Sequence, residues 1–192
     1  MTTEIIIKQN EEKIIPILWT GQETDLSYDI HLAGNNAKLT LLALLLGKKT
    51  DHANIQTNIY HDSPNTQSRV ILKGALTDTA NINFEGLVKI KPGAKGTNAW
   101  LAAHILLLSS LAKGRTVPSL EIAENDVKAG HATTVGKVNN LELFYLQSRG
   151  ISQKAALTLI VHGFLSSILN EFPKDIASSA RKQLDSFTSY EQ

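Results

Sequence analysis

Short segments rich in β-branched and aliphatic residues recur along the first two thirds of the chain. They are spaced roughly every 13 to 20 residues with Asn, Gly, Asp and Ser between them, which is typical of a mainly β domain. Most lack the Asn-Gly or Asp-Gly pairs of two-residue hairpins, and the spacing is short for a crossover helix. A sandwich, a barrel and a parallel β-solenoid all fit this pattern. The predicted strands are 4–7, 14–19, 26–32, 39–46, 54–60, 69–76, 82–90 and 117–123.

The periodicity becomes helical from Asn140 onward. A first predicted helix ends at Gly150, which is placed as a left-handed C-terminal cap. Ser152 is placed to cap a second helix, whose apolar residues recur at spacings of three and four. We therefore divide the chain into a β core, residues 1–138, and a helical segment, residues 139–192.

Composition narrows the function classes. The chain has 192 residues and a formal net charge of +1, which gives no reason to expect nucleic acid or an anionic membrane as a partner. It has no cysteine, which excludes disulfides and thiolate metal ligands from this chain. The N-terminus does not resemble a secretory signal, and the longest apolar run is too short to span a bilayer. We expect a cytoplasmic protein.

A long ordered motif lies between residues 116 and 163. It resembles the C-terminal core of the SufB/SufD family of the SUF iron–sulfur assembly machinery, and it is most similar to the SufD branch. The words that carry the resemblance are Leu120-Glu121-Ile122, Asn125-Asp126-Val127-Lys128, His131, Thr134-Val135-Gly136, Phe144-Tyr145-Leu146 and Ser148-Arg149-Gly150-Ile151.

The resemblance selects one of the three folds that fit the strand pattern. The core of the SufB/SufD family is a right-handed parallel β-helix, so we expect a β-solenoid followed by a C-terminal α-helical segment. One segment conflicts with this, because residues 98–110 have the Ala and Leu content of a helix. The family has a strand of the β-helix there, and we follow the family. Fuller members carry more β-helix and an N-terminal helical region, so the resemblance implies a shortened member.

His131 is the main candidate site residue. A neutral imidazole is a competent iron ligand, and in SufD-type proteins the histidine of this motif is implicated in cluster assembly beside SufB. Between Gly130 and Ala132 we expect it in a small-residue loop. The alternative is an ordinary loop histidine bonded to the backbone.

The soft ligands of the family are missing around this histidine. Ile122 stands where SufB-type members have a cysteine, Ala132 where they have an acid, and Ala129 where SufD-type members often have a cysteine. We therefore expect no stably bound cofactor, and at most a transient iron–sulfur cluster shared with a partner chain.

Glu121 is a second candidate metal ligand. With Glu124 and Asp126 it forms an acidic group before His131, and carboxylates with an imidazole suit a divalent metal. A solvated acidic turn is the alternative. Because Glu121 alternates with Leu120 and Ile122, it should point away from them.

The resemblance also implies partners. In the family the helical segment engages the ABC-type ATPase SufC, and the end of the β-helix pairs with SufB or SufD. We thus expect a SufD-like, non-catalytic scaffold that binds a SufC-like ATPase and a SufB-like or identical chain. A homodimeric structural solenoid without a cluster role is the alternative. The predicted partner-binding residues are Phe144, Tyr145, Arg149, Ile160 and Phe164.

The sequence supports an enzymatic function less well than a scaffold function. Residues 130–138 look like a P-loop, but five residues separate the glycines and Val138 replaces the Mg²⁺-binding hydroxyl residue. A polysaccharide lyase or hydrolase would need acids on successive coils, and the sequence shows no such repeat.

Overall fold

The computed structural model describes residues 2–190, apart from the side chains of Glu23 and Tyr190. Within this range ten strands precede three helices. The strands are β1 Thr2–Ile7, β2 Glu12–Trp19, β3 Glu23–Leu32, β4 Lys38–Gly47, β5 His52–His61, β6 Gln67–Leu76, β7 Asn81–Ile90, β8 Thr97–Leu107, β9 Lys113–Ile122 and β10 Val127–Lys137. The helices are α1 Asn140–Ser148, α2 Gln153–Leu169 and α3 Lys174–Tyr190.

Successive strands alternate between two parallel sheets. The first sheet has the order β1-β3-β5-β7-β9, and the second has the order β10-β8-β6-β4-β2. Each coil therefore contributes one strand to each sheet, and five coils stack on one another. Between the middle coils the register advances by 29 residues, as in Glu23 with His52 and Lys38 with Gln67. The predicted parallel β-solenoid with C-terminal helices is confirmed.

The core lies between the two sheets. On each strand alternate side chains point inward, as a pleated strand requires, and stack in register on the coils above and below. One such column joins Ile15, Leu41, Val70 and Leu101, and their exposed fractions are 9%, 1%, 0% and 0%. These columns of aliphatic side chains hold the two sheets together, because they remove a continuous apolar surface from water.

One corner of the solenoid repeats a left-handed residue on the first four coils. Asn10, Asn36, Asn65 and Gly96 have φ of 58°, 62°, 57° and 70°. Asparagine and glycine adopt this conformation at little cost, which explains their recurrence there. The Asn36 side-chain amide donates to the Asn10 side-chain oxygen at 2.9 Å, so the corner also links neighbouring coils.

The C-terminal helices cover part of the outer face of the second sheet. Leu42, Leu44 and Leu46 of β4 point outward, yet they are at most 2% exposed because α2 and α3 pack on them. Two cations of β6 fasten the helical segment to the sheet. Arg69 forms a bidentate pair with Glu171, and the Lys73 ammonium donates to the Phe164 carbonyl at 2.7 Å.

Two local outcomes follow for the sequence predictions. The helix-like residues 98–110 fall mostly in β8, so the strand assignment is confirmed. The prediction of a small-residue loop around His131 is wrong. That segment is β10, a full strand of the last coil, and residues 117–123 are not the last strand. Strand then changes to helix at residues 138–139.

Over the described range, no helix is long and apolar enough to cross a membrane.

Candidate functional site at the last coil

His131 lies on the inward face of β10. It is in register with Leu101 and therefore continues the column of Ile15, Leu41 and Val70. The other members of the column are buried, whereas His131 is exposed because no further coil lies on it. The imidazole thus occupies the position where the next interior side chain of the solenoid would be.

The surface around His131 is the uncovered cross-section of the core, which we call the open end. Ile122 and Val135 are 47% and 38% exposed although they also point inward, since Ile122 pairs with Ile90 and Val135 with Ile105. The open end is made of the inward residues Gly114, Thr116, Pro118, Leu120, Ile122, Val127, Ala129, His131, Thr133 and Val135.

Two free strand edges border the open end. β9 is the last strand of the first sheet and β10 the last of the second. Across the described residues, neither has a strand on its outer side. Unpaired backbone donors and acceptors beside exposed apolar side chains favour association with another chain.

Glu121 is placed apart from His131. Its register partner Lys89 points outward, and the Lys89 ammonium forms an ion pair with the Glu121 carboxylate at 2.7 Å. Glu121 therefore faces outward from the first sheet, as the alternation predicts, while His131 faces inward from the second. Its role as a metal ligand stays a prediction.

The other acids before His131 are engaged locally. The Glu124 carboxylate accepts from the backbone N–H of Gly93 at 3.0 Å and of Asn125 at 2.9 Å, and these bonds lower its pKa. Among the described residues, no three His, Asp or Glu side chains lie close enough together to hold a metal ion. With no cysteine in the sequence, this chain supplies no thiolate ligand.

The first helix presents an apolar surface to solvent. Leu141, Phe144 and Tyr145 are 75%, 68% and 57% exposed, and Leu159 of α2 is 53% exposed. We call these four residues the exposed helical face. The Arg149 guanidinium lies 5.3 Å from the centre of the Tyr145 ring. The backbone N–H of Arg149 caps the end of α1 by donating to the Leu146 carbonyl at 3.1 Å.

The remaining two predicted partner residues are less accessible. Phe164 packs against the junction between the helices and the second sheet, and the Lys73 ammonium lies 4.6 Å above its ring. Ile160 is half-buried. Their part in partner binding stays a prediction, whereas Phe144, Tyr145 and Arg149 are available without rearrangement.

Sequence reasoning missed most of the open end because it placed a loop there. The signal was present in β10, where Val127, Ala129, His131, Thr133 and Val135 alternate with period two. Three of these five are small or polar, so the apolar alternation is faint.

We compared the chain with known protein families to find the family that it belongs to. A family model described as "SUF system FeS cluster assembly, SufBD core domain" matches residues 7–164. The chain belongs to the SufBD family. The matched range runs from the first coil to α2, so it includes the open end and all four residues of the exposed helical face.

Several SufBD relatives are similar over most of the chain. The iron–sulfur cluster assembly protein SufD of Bacillus subtilis is 37% identical over 141 residues, which is 73% of this chain and 32% of that protein. A SufBD family protein of Synechocystis is 30% identical over 173 residues, 88% of this chain and 36% of that protein. One of Mycobacterium tuberculosis is 29% identical over 166 residues, 86% of this chain and 20% of that protein. The chain thus spans about a third or less of the length of most of these relatives.

Proposed function

We propose that this chain is a SufD-like, non-catalytic subunit of an iron–sulfur cluster assembly complex. It pairs through the open end with a second SufBD-type solenoid, either a SufB-like protein or an identical chain. It offers the exposed helical face to a SufC-like ABC ATPase. Relatives named for iron–sulfur cluster assembly support the process, and the two exposed surfaces support the partners.

The open end is the observation that carries the proposal. It combines half-exposed interior side chains such as Ile122 and Val135 with two free parallel strand edges. A second solenoid stacked here would pair the edges and remove the interior columns from water. Strand addition and apolar burial are both favourable, and together they account for a stable pairing.

His131 is the candidate contact for iron in this arrangement. It lies within the open end, so pairing would enclose the imidazole between two chains. An iron–sulfur cluster is cargo here, and its thiolate ligands must come from the partner because this chain has none. A neutral imidazole nitrogen supplies one ligand from this side.

The ATPase contact rests on the exposed helical face. Phe144 and Tyr145 are large aromatic residues with more than half of their surface in water, and residues of this type dominate binding energy in protein interfaces. Arg149 adds a cation at the rim. An apolar ridge of this kind fits an apolar groove on a partner.

The pairing is tested by native mass spectrometry of the purified chain, alone and with the SufB homologue of its own organism. We expect a dimer or a heterodimer, and we expect Ile122→Glu to abolish it. Ile14→Glu is the matched control, because Ile14 is equally exposed at 47% but lies on the outer face of the first coil. Equal loss with both variants, or with neither, would contradict pairing through the open end.

The ATPase contact is tested by pull-down with the SufC homologue of the same organism. Phe144→Glu should abolish binding. Leu111→Glu should not, because Leu111 is similarly exposed at 63% but lies in the turn between β8 and β9. Binding that survives Phe144→Glu would remove the ATPase contact from the proposal.

A homodimeric solenoid without a cluster role is the second candidate, and the missing cysteines favour it. Anaerobic reconstitution with iron and sulfide separates the two. Cluster absorption in the SufB complex that falls with His131→Ala supports the assembly role. A stable dimer that never shows such absorption, with or without SufB, supports the structural role.

A further inference from the structure

Trp100 is an exposed aromatic residue beside the free edge of β10. It lies on the outer face of β8, points away from the core and is 46% exposed. Trp19, the other tryptophan of the chain, is 4% exposed. An exposed indole is unusual enough to require an explanation from its surroundings.

The indole ring leans across the edge strand. A Cβ atom at Gly130, the register partner of Trp100 on β10, would lie 2.5 Å from Cζ3 and 2.9 Å from Cε3 of the ring. The six-membered ring therefore occupies the side-chain position of Gly130. The φ of Gly130 is not positive, so the space for the ring and not the backbone conformation accounts for this glycine.

The register shows where an added strand would lie. On the outer face of the second sheet, Ile14, Thr40, Arg69, Trp100 and Gly130 follow one another, one residue per coil. Neighbouring strands are about 4.8 Å apart, and the ring already covers the spacing between β8 and β10. A strand added to β10 would place its residue opposite Gly130 directly against the edge of the indole.

We propose that Trp100 is an anchor for the edge strand of a SufB-like partner, packing against the outward side chain in register with Gly130. This inference rests on the proposed pairing through the open end. It requires an extended strand with a large aliphatic or aromatic residue at that position. The β10 strand of a second identical chain does not offer one, because its outward residues are Lys128, Gly130, Ala132, Thr134 and Gly136. Backbone pairing alone is tolerant of register, and a side-chain pocket at one position fixes it.

The register fixed by Trp100 also determines which partner side chains point into the interface. Side chains alternate along the added strand, so the neighbours of the anchored residue point inward. His131 follows Gly130 on β10 and also points inward. Trp100 thereby determines which residue of the partner faces His131.

The first experiment follows the two tryptophans by ¹⁹F NMR in a chain labelled with 5-fluorotryptophan. Trp100→Phe assigns the two resonances. The labelled chain is measured alone at low concentration and again in the heterodimer with the unlabelled SufB homologue. We expect the Trp100 resonance to shift on pairing and to lose its solvent isotope effect, while the Trp19 resonance stays in place.

The second experiment compares two glycine substitutions in the dissociation constant of the same complex. Gly130→Ala displaces the indole, and we expect at least a tenfold weakening, as for Trp100→Ala. Gly136→Ala is the matched control. It lies on the same face of β10, and a Cβ there has no atom within 4 Å. Circular dichroism and thermal unfolding confirm that each variant is folded.

The outcomes separate this inference from the proposed function. A complex that forms with no change at the Trp100 resonance, or with equal affinity in Gly130→Ala and wild type, overturns the anchor and leaves the pairing. The absence of any complex overturns the pairing and the anchor together. Weakening by Gly130→Ala but not by Gly136→Ala supports the anchor.

Discussion

The two ends of the solenoid are built from the same repeat but differ in the solvent exposure of their inward side chains. In the first coil the inward residues Ile7, Ile17 and Trp19 are 0%, 5% and 4% exposed, whereas Ile5 is half-buried and Thr3 at the start of β1 is exposed. In the last coil the inward residues Ile122 and Val135 are 47% and 38% exposed. The first coil covers the core with its own large side chains, whereas the last coil leaves the core uncovered.

Strand length and side-chain size account for the difference. The strands β1 and β2 of the first coil have 6 and 8 residues, whereas β9 and β10 of the last coil have 10 and 11. The first coil is therefore the narrower one. The last coil is wider and carries small or polar inward residues on β10, including Ala129 and Thr133. Lower burial at a solenoid terminus is expected where another repeat or a partner supplies the cover.

The largest expected effect comes from removing the cover of the first coil. Trp19→Ala should lower the free energy of unfolding by about 3–5 kcal/mol, because a buried aromatic side chain is lost and a cavity is left. Ile122→Ala should cost about 1 kcal/mol or less, since half of that side chain is already in water. Urea unfolding of the isolated chain measures both. Similar costs for the two variants would contradict the difference between the ends.

A second, smaller effect concerns the histidines that point inward. His61 lies in the middle of the solenoid and is fully buried, with its ring nitrogens 2.7 Å from the Thr66 hydroxyl and 2.8 Å from the Ser68 hydroxyl. Burial lowers the pKa of His61 to about 4 against the opposing effect of Asp62, from an ordinary value of 6.5. In the unfolded chain His61 therefore binds a proton at a higher pH than in the folded chain.

The sign of the pH dependence follows from this difference. Above pH 6.5 the imidazole is neutral in both states, and as the pH falls toward 4 protonation favours the unfolded chain. Stability should thus decrease by up to about 3 kcal/mol across this window. Denaturant unfolding at several pH values measures the slope, which His61→Gln should reduce above pH 4.5.

The smallest stability effect is expected at the open end itself. His131→Ala should change the free energy of unfolding of the isolated chain by less than about 0.5 kcal/mol, because the side chain is exposed and no partner for it is seen among the described residues. Iron retained after reconstitution of the complex should nevertheless decrease. A large loss of stability with unchanged iron content would show that His131 serves the fold.

Much of the solenoid could be predicted from the sequence because buried strands carry a strong apolar pattern. Seven of the eight predicted strands lie within one strand of the structure, and the eighth, 117–123, extends one residue past β9. Pro16 and Pro118 are on β2 and β9, which are edge strands, as the missing amide donor of proline requires. The resemblance was needed to select the solenoid, since pairing between residues about 29 apart leaves no local signal.

The last strand and the anchor beside it could not be predicted in the same way. β10 has only one neighbour and little to bury, so Ala129-Gly130-His131-Ala132 reads as a loop by composition. The glycine there accommodates the ring of a residue thirty positions earlier. Glu121 was predicted to point outward, but its pairing with Lys89 depends on a register that the sequence does not reveal.

The repeated left-handed corner makes the molecule extensible in whole units. Asn36 and Asn65 turn the chain in the same way 29 residues apart, and β4 and β5 between them each pair in parallel with one strand above and one strand below. A tandem duplication of residues 38–66 would therefore add one coil without changing the direction of any other. Such an insertion would increase the distance between Trp19 and His131 by one strand spacing. The length of the solenoid can therefore change in steps of about 4.8 Å.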